Sequence, residues 1–246
     1  MGRQVKTPNA KSELAPTGVL RAGINLSNPL LVTGRTAAGD PTGVAPDVAS
    51  AIADRLGVPI TFVPFTKPSL LADACGKNVW DIGLIGAEPT RAQTIAFTAA
   101  YVEIEATYMV PSDSLLQSVE EVDRPGVRIA APTGTAFDPW LTENIRHATL
   151  LRSESSTASF QRFVDEKLDV LAGLKVTLQN KIGVLPGARI LPGRFTTVQQ
   201  AVGVARTSDA GAAFLRDFIE EAKASGLIAE LIERHSAKGL TVAPSA

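Results

Sequence analysis

The chain has 246 residues, one cysteine, two histidines and a formal net charge of −1. That length can bury a good core, as one large domain or two smaller lobes. The near-neutral charge leaves no basic footprint for nucleic acid, and no apolar run reaches the roughly 18 residues that a membrane span needs. Cys75 has no second cysteine to pair with, and with only two histidines the usual Cys/His metal signature is missing, so neither metal nor cofactor is expected.

Residues 1–17 carry positive charge at Arg3, Lys6 and Lys11 without the apolar run of a signal peptide, and are read as a flexible tail. The compartment stays open: periplasmic if a leader has been removed, cytoplasmic if the chain is full length. The first strand is expected over Val19–Asn25. Gly39, Pro41 and Gly43 then punctuate a turn, and Asp47 after Pro46 marks a helix start, where its carboxylate can accept free backbone N–H groups. Val48, Ile52 and Leu56 share one face of that helix, and Gly57 is placed to close it.

Further strands are expected over Ile60–Pro64, Asp81–Ile85, Ala106–Val110, Val127–Ala131, Thr149–Arg152, Asp169–Leu174, Arg189–Leu191 and Ala201–Ala205. Helical patterns lie between them, including Phe137–His147 and Thr157–Lys167. Cys75 falls on an apolar helical pattern before Gly76 and reads as packing. Two helices finish the chain, with Thr207 and Ser208 as caps, Phe214 and Phe218 one turn apart, and Gly226 as a terminator. The alternation predicts an α/β fold of mostly parallel sheets with helices on both faces. No internal repeat is visible.

The segment Trp80-Asp81-Ile82-Gly83-Leu84-Ile85-Gly86, followed by Glu88, Arg91, Phe97 and Tyr101, sharpens this reading. It resembles the strand, ligand loop and following turn of the family 3 extracellular solute-binding proteins, and Arg91, Phe97 and Tyr101 reproduce the spacing of that family's Arg, Phe and Tyr. The likeness extends over about residues 18–235. It implies a two-lobed periplasmic binding protein type II fold with two hinge crossings, near Ala106–Val110 and Gln199–Val204. Lobe one would comprise 18–108 plus 202–246, and lobe two, inserted, 109–201. A small solute would lie between the lobes and be held by their closure. The implied partners are a carboxylate-bearing ligand and the permease of an ABC importer. The chain itself is expected to be a monomer, with no membrane insertion.

Arg91 is the candidate anchor, because its planar fork matches a carboxylate with two parallel bonds. Gly134, Thr135 and Ala136 follow a strand and precede a helix, a place that offers free N–H groups to an anion. They resemble the family's Gly-Thr-Thr loop, with one hydroxyl lost at Ala136. Asn25, Ser27 and Asn28 are candidate polar donors after the first strand, or simply turn formers. Phe65 is a candidate apolar wall. Glu105 and Gln199 fall near the hinge crossings, where Glu105 could accept from a ligand or, with its pKa raised, act as an acid or base.

Three departures from the family bear on the ligand. The acid that neutralises an amino acid's ammonium is replaced by Leu174, with Lys175 beside it, which favours a solute with several negative groups or without an amine. Glu88 stands where a Thr often precedes the Arg, in a shortened loop, and could pair with Arg91 or with a ligand cation. The aromatic that usually stacks on the ligand is absent after the first strand. No catalytic residue is assigned. A cyclohexadienyl or arogenate dehydratase-like lyase on the same fold is the alternative, with Glu105, Glu88 or Glu103 as its acid, and a ligand-sensing module not coupled to transport is another.

Overall fold

The structure, a computed structural model, describes residues 7–246. In chain order the elements are α1 (Thr7–Leu14), β1 (Leu20–Asn25), β2 (Gly34–Arg35), β3 (Pro41–Thr42), α2 (Val44–Leu56), β4 (Ile60–Phe65), α3 (Pro68–Asp73), β5 (Ile82–Gly86), β6 (Ile95–Phe97) and β7 (Val102–Val110). There follow β8 (Arg128–Pro132), α4 (Asp138–Asn144), β9 (Thr149–Ser153), α5 (Ser156–Asp165), β10 (Val170–Leu174), α6 (Lys175–Ile182) and β11 (Arg189–Ile190). The chain finishes with β12 (Thr196–Ala205), α7 (Asp209–Ala224), α8 (Leu227–Arg234) and β13 (Leu240–Val242).

Two compact units divide this chain. Unit 1 runs to Glu103 and resumes over Gln199–Ala246, and unit 2 is Ile104–Val198. The chain passes between them inside β7 and β12, a few residues earlier at each point than the sequence suggested. The fold class is the expected mostly parallel α/β arrangement. In unit 1, β4, β1 and β5 are parallel neighbours, and β12 runs antiparallel beside β5. In unit 2, β9, β8 and β10 are parallel neighbours, and β7 runs antiparallel beside β10. The two units therefore repeat one plan, which the sequence did not reveal as a repeat.

A shared clip fixes the start of each parallel pair. In unit 1 the Arg21 backbone N–H and Nε both donate to Asp81 Oδ2, at 2.8 and 3.0 Å. In unit 2 the Arg128 backbone N–H and Nε donate to Asp169 Oδ2, at 2.8 and 3.1 Å. An Asp just ahead of the inner strand thus holds an Arg on its neighbour in both places. Beneath the clips lie separate cores: Leu71, Trp80, Ile85 and Ile95 in unit 1, and Met109, Ala130, Phe163, Leu168, Leu171 and Leu178 in unit 2.

Several local expectations need correction. The tail expected over residues 1–17 is helical from Thr7: Ala10 and Leu14 are fully buried, and Glu13 accepts a 2.8 Å bond from the Gly211 amide of α7. The part of that expectation on residues 1–6 lies outside the described residues. Asp47 does not cap α2, which begins earlier, at Val44. Its carboxylate turns instead to the end of α8, 2.8 Å from His235 Nε2 and 3.3 Å from Arg234 Nη1. Gly43 sets that early start. Its φ of 141° suits glycine, and a Cβ there would sit 2.3 Å from the Leu31 carbonyl oxygen. The closing Gly57 is left-handed, as expected, with its N–H on the Ala53 and Asp54 carbonyls.

Candidate functional site

The carboxyl ends of parallel strands in an open α/β sheet are where ligand groups collect, because loops there are free of sheet pairing. In unit 1 that edge is formed by Asn25, Phe65 and Gly86, the last residues of β1, β4 and β5. Asn25 and Phe65 are register partners. Gly86 faces Gln200 of β12, and the Ala87 amide donates to the Gln199 carbonyl at 2.8 Å. Asn25, Ser27, Phe65, Glu88, Arg91 and Gln199 are thus gathered at one edge of unit 1.

Arg91 opens a short 3-10 turn after β5. Its Nη1 donates to the Gly86 carbonyl at 2.9 Å and lies 3.1 Å from Glu88 Oε1, and the two side chains are only 11% and 15% exposed. The Glu88 contact is one of charge rather than a well-aligned bond, since Oε1 is shut off from solvent without a hydrogen bond. Burial pushes the Glu88 carboxyl up from its usual range, and Arg91 pulls it partly back. Burial likewise lowers the Arg91 guanidinium, and Glu88 offsets part of that. Nε and Nη2 of Arg91 have no hydrogen-bond partner among the described residues.

The polar residues after β1 work mainly on their own turn. Asn25 Oδ1 accepts from the Ser27 amide at 3.1 Å and from Ser27 Oγ at 2.8 Å. Asn28 Oδ1 accepts from the Leu30 amide at 3.1 Å. These are the local bonds that make Asn and Ser good turn formers. Phe65 is half-buried and packs on the Leu71 and Trp80 cluster. Gln199 donates from Nε2 to Glu103 Oε1 at 2.6 Å. Cys75 joins the same cluster from just beyond α3, its Sγ 3.6 Å from the Thr94 carbonyl, and burial raises its thiol pKa.

In unit 2 the equivalent edge is formed by the ends of β9, β8 and β10. Thr133 ties to Ser153 through its amide at 2.8 Å, and Gly134 adopts a φ of 68°. The expected free N–H groups are only partly free. The Gly134 amide donates to Asp138 Oδ2 at 3.1 Å, and Arg152 Nε holds the other oxygen of Asp138 at 2.9 Å. Thr135 Oγ1 makes only a long 3.5 Å contact to the Pro132 carbonyl. The Thr135 and Ala136 amides have no partner among the described residues. Asp138 and Arg152 were missed in the sequence, although an acid in the first turn of α4 is a signal for such a bond.

Lys175 is the first residue of α6, a helix also missed. It does not stand as a lone cation: Nζ donates to Glu105 Oε2 at 2.6 Å, and Arg194 Nη1 donates to Glu105 Oε1 at 3.2 Å. The pairing follows from register, since Leu174 faces Ala106 and so sets Lys175 against Glu105. The Lys175 bond, backed by its charge and by Arg194, holds the Glu105 carboxyl below its usual range. Glu105 is therefore ionised at neutral pH, which corrects the expectation of a raised pKa and removes its fitness as a general acid. Arg194 carried no sequence signal. Beside it Phe195 stacks on Tyr108, with ring centroids 4.5 Å apart, and leans on Trp140 at 5.0 Å.

The family model for bacterial extracellular solute-binding proteins, family 3, matches residues 20–238. The chain belongs to that family. Among solved structures, a mutant of ArgBP from T. maritima is 22% identical, with a TM-score of 0.67 over 93% of this chain and 100% of that one. The cysteine-binding protein of Campylobacter jejuni is 20% identical, with a TM-score of 0.69 over 96% of this chain and 100% of that one. A binding component of an ABC transporter from Wolinella succinogenes, solved with lysine, is 17% identical, with a TM-score of 0.71 over 88% and 95%. At these identities the likeness establishes the fold, and most of the neighbours are binding proteins. The cyclohexadienyl dehydratase of Pseudomonas aeruginosa is 25% identical over 154 residues, which cover 60% of this chain and 57% of that protein. The match thus spans less than two thirds of the dehydratase's length.

Among the described residues no helix is long and apolar enough to cross a membrane, and no group of three or more His, Cys, Asp or Glu could hold a metal ion.

Proposed function

We propose that this protein is the solute-binding component of an ABC-type importer and that it holds a small carboxylate-bearing solute through Arg91. The observation that carries the reading is the state of Arg91 itself. One arm of its fork is fixed on the Gly86 carbonyl, and the remaining nitrogens are unpartnered although the side chain is largely buried. A guanidinium with one arm fixed and its other donors open presents a fork whose geometry a carboxylate matches. Family membership and neighbours that bind amino acids support the assignment to transport.

The distant dehydratase relative keeps a lyase as the second reading. That chemistry needs a protonated acid beside the carboxylate clamp. Glu105 is held ionised, so Glu88, with its raised pKa and its place next to Arg91, is the residue on which such a reading would rest.

A thermal-shift screen of ligand-stripped protein separates these readings, because preferential binding to the folded state raises the melting temperature. Small carboxylates are expected to raise it in a concentration-dependent way and to be recovered unchanged after incubation. A cyclohexadienyl acid converted to an aromatic product would place the protein with the dehydratases instead. No shift with any carboxylate would remove the carboxylate reading.

A further inference from the structure

We infer that Glu88 makes the capture of a carboxylate by Arg91 proton-linked, so that the solute enters unit 1 together with one proton, which Glu88 holds. This rests on the carboxylate reading above and adds the regulation of the same site: acid favours loading and alkali favours release.

The geometry sets up a competition for one guanidinium. Arg91 Nη1 lies 3.1 Å from Glu88 Oε1, and both side chains are largely buried. Without solute the pair is neutral as a whole, one cation against one carboxylate. A carboxylate on the open Nε and Nη2 brings a second negative charge to the same small, flat group. Two carboxylates on one cation leave a net negative charge, which partly buried surroundings penalise. A proton taken from solvent onto Glu88 restores neutrality: Arg91 and the solute then carry the two charges, and the Glu88 carboxyl carries none. Carboxyl groups that share a site titrate in this coupled way.

The bonding of Glu88 points the same way. Its Oε1 is shut off from solvent without a hydrogen bond. Glu105, by contrast, has each oxygen bonded to a cation. Burial already favours the neutral form of Glu88, so an added negative charge acts on a group that is easily protonated. Arg91 faces Glu88 from its own turn. On β12, which runs beside β5, Gln199 is neutral and donates to Glu103 Oε1. Arg206, just beyond β12, is spent on the Ala92 carbonyl. At the end of β1, Asn25 is neutral and bonded to Ser27. Among the described residues no second cation lies within ion-pair distance of Glu88 to hold it ionised when the solute arrives.

The test is titration calorimetry of ligand-stripped protein with pyruvate, butyrate and L-leucine at about pH 5.5, 7 and 8.5, where their carboxylates stay mostly ionised. Two buffers of different ionisation enthalpy at each pH count the protons taken up. Wild type is expected to take up close to one proton per pyruvate at the higher pH values. Its affinity should fall at least about tenfold from acid to alkali, within the ceiling of about tenfold per pH unit for one linked proton. Glu88→Gln should take up none, bind with a flat pH profile and outbind wild type in alkali by about tenfold or more. Glu88→Thr repeats the comparison should the amide disturb folding. The proposal is overturned if wild type takes up no proton, or if both Glu88 variants take up as many as wild type. It is also overturned if they lose only L-leucine, which would make Glu88 the partner of a solute ammonium. Arg91→Ala distinguishes the two levels. If it binds pyruvate as wild type does, the anchor is wrong. If it loses binding while wild type takes up no proton, the anchor stands and the proton link falls. Failure of all three probes to bind at any pH overturns both.

Discussion

Two carboxylates close to candidate anchors, Glu88 and Glu105, have been pushed in opposite directions by their surroundings. Glu88 is buried against one guanidinium that does not align with it, and desolvation dominates. Glu105 is more open and bonded by two cations, and their bonds dominate. Glu105 has a folded pKa below its unfolded value, so its stabilisation is present above the unfolded pKa and is lost as pH falls through the folded one. Glu88 has a raised folded pKa, so its ionisation costs stability as pH rises from the unfolded toward the folded value. Glu105→Gln should therefore lower stability at pH 7 and converge on wild type only well below the unfolded carboxylate value of about 4.3, at about pH 2. Urea unfolding at both pH values reads this directly. A difference that persists undiminished in acid would show that the Lys175–Glu105–Arg194 bonds are not what Glu105 contributes. The sequence showed Glu88, Arg91, Glu105 and Lys175 as individual residues near the right turns. It could not show that they pair among themselves, because each pairing depends on a register or a loop course.

Among the elements, all nine expected strands are present, most shifted by a residue or more at one end, because long apolar runs bounded by Gly and Pro carry a strong local signal. The two that were read too short by several residues are β7 and β12. Polar residues such as Glu103, Glu105, Gln199 and Gln200 interrupt their apolar pattern where the chain passes between units. The short β2, β3, β6 and β13 and the helix α6 were not visible, since two or three residues or a polar turn of helix leave no periodicity. Helix α1 was misread as tail because its alternating charge hides Ala10 and Leu14, whose burial depends on α7 far along the chain. The repeated Arg/Asp clip offers a test at this scale. Asp81 is 4% exposed and Asp169 is 41% exposed. Asp81→Ala leaves Arg21 without its buried partner and should cost about 3 kcal/mol. Asp169→Ala, in a solvated pair, should cost about 1 kcal/mol or less. Equal losses in urea unfolding would mean that burial does not set the worth of these clips.

At the scale of the whole molecule, the structure is two copies of one plan joined through β7 and β12. Each copy places its edge loops at the carboxyl ends of three parallel strands. Unit 1 brings a nearly neutral pair there, Arg91 with Glu88. Unit 2 brings Lys175 and Arg194 over one Glu105, with Arg152 already matched to Asp138. Family membership and the nine strands were legible from the chain alone, because the fold is written in short-range patterns. The charge pattern at the edges was half legible: the missing acid at Leu174 was plain, while Asp138, Arg152 and Arg194 lie far apart in sequence and were not joined to the site.

The measurement that bears most directly on the assignment is calorimetric binding of a small carboxylate to wild type, Arg91→Lys and Arg91→Ala. Arg91→Ala should weaken binding by at least about 2 kcal/mol, as for loss of one partner of a buried charged bond. Arg91→Lys should fall between the two, since it keeps the charge and loses the fork. Unchanged affinity in Arg91→Ala would contradict the account and remove Arg91 from the site.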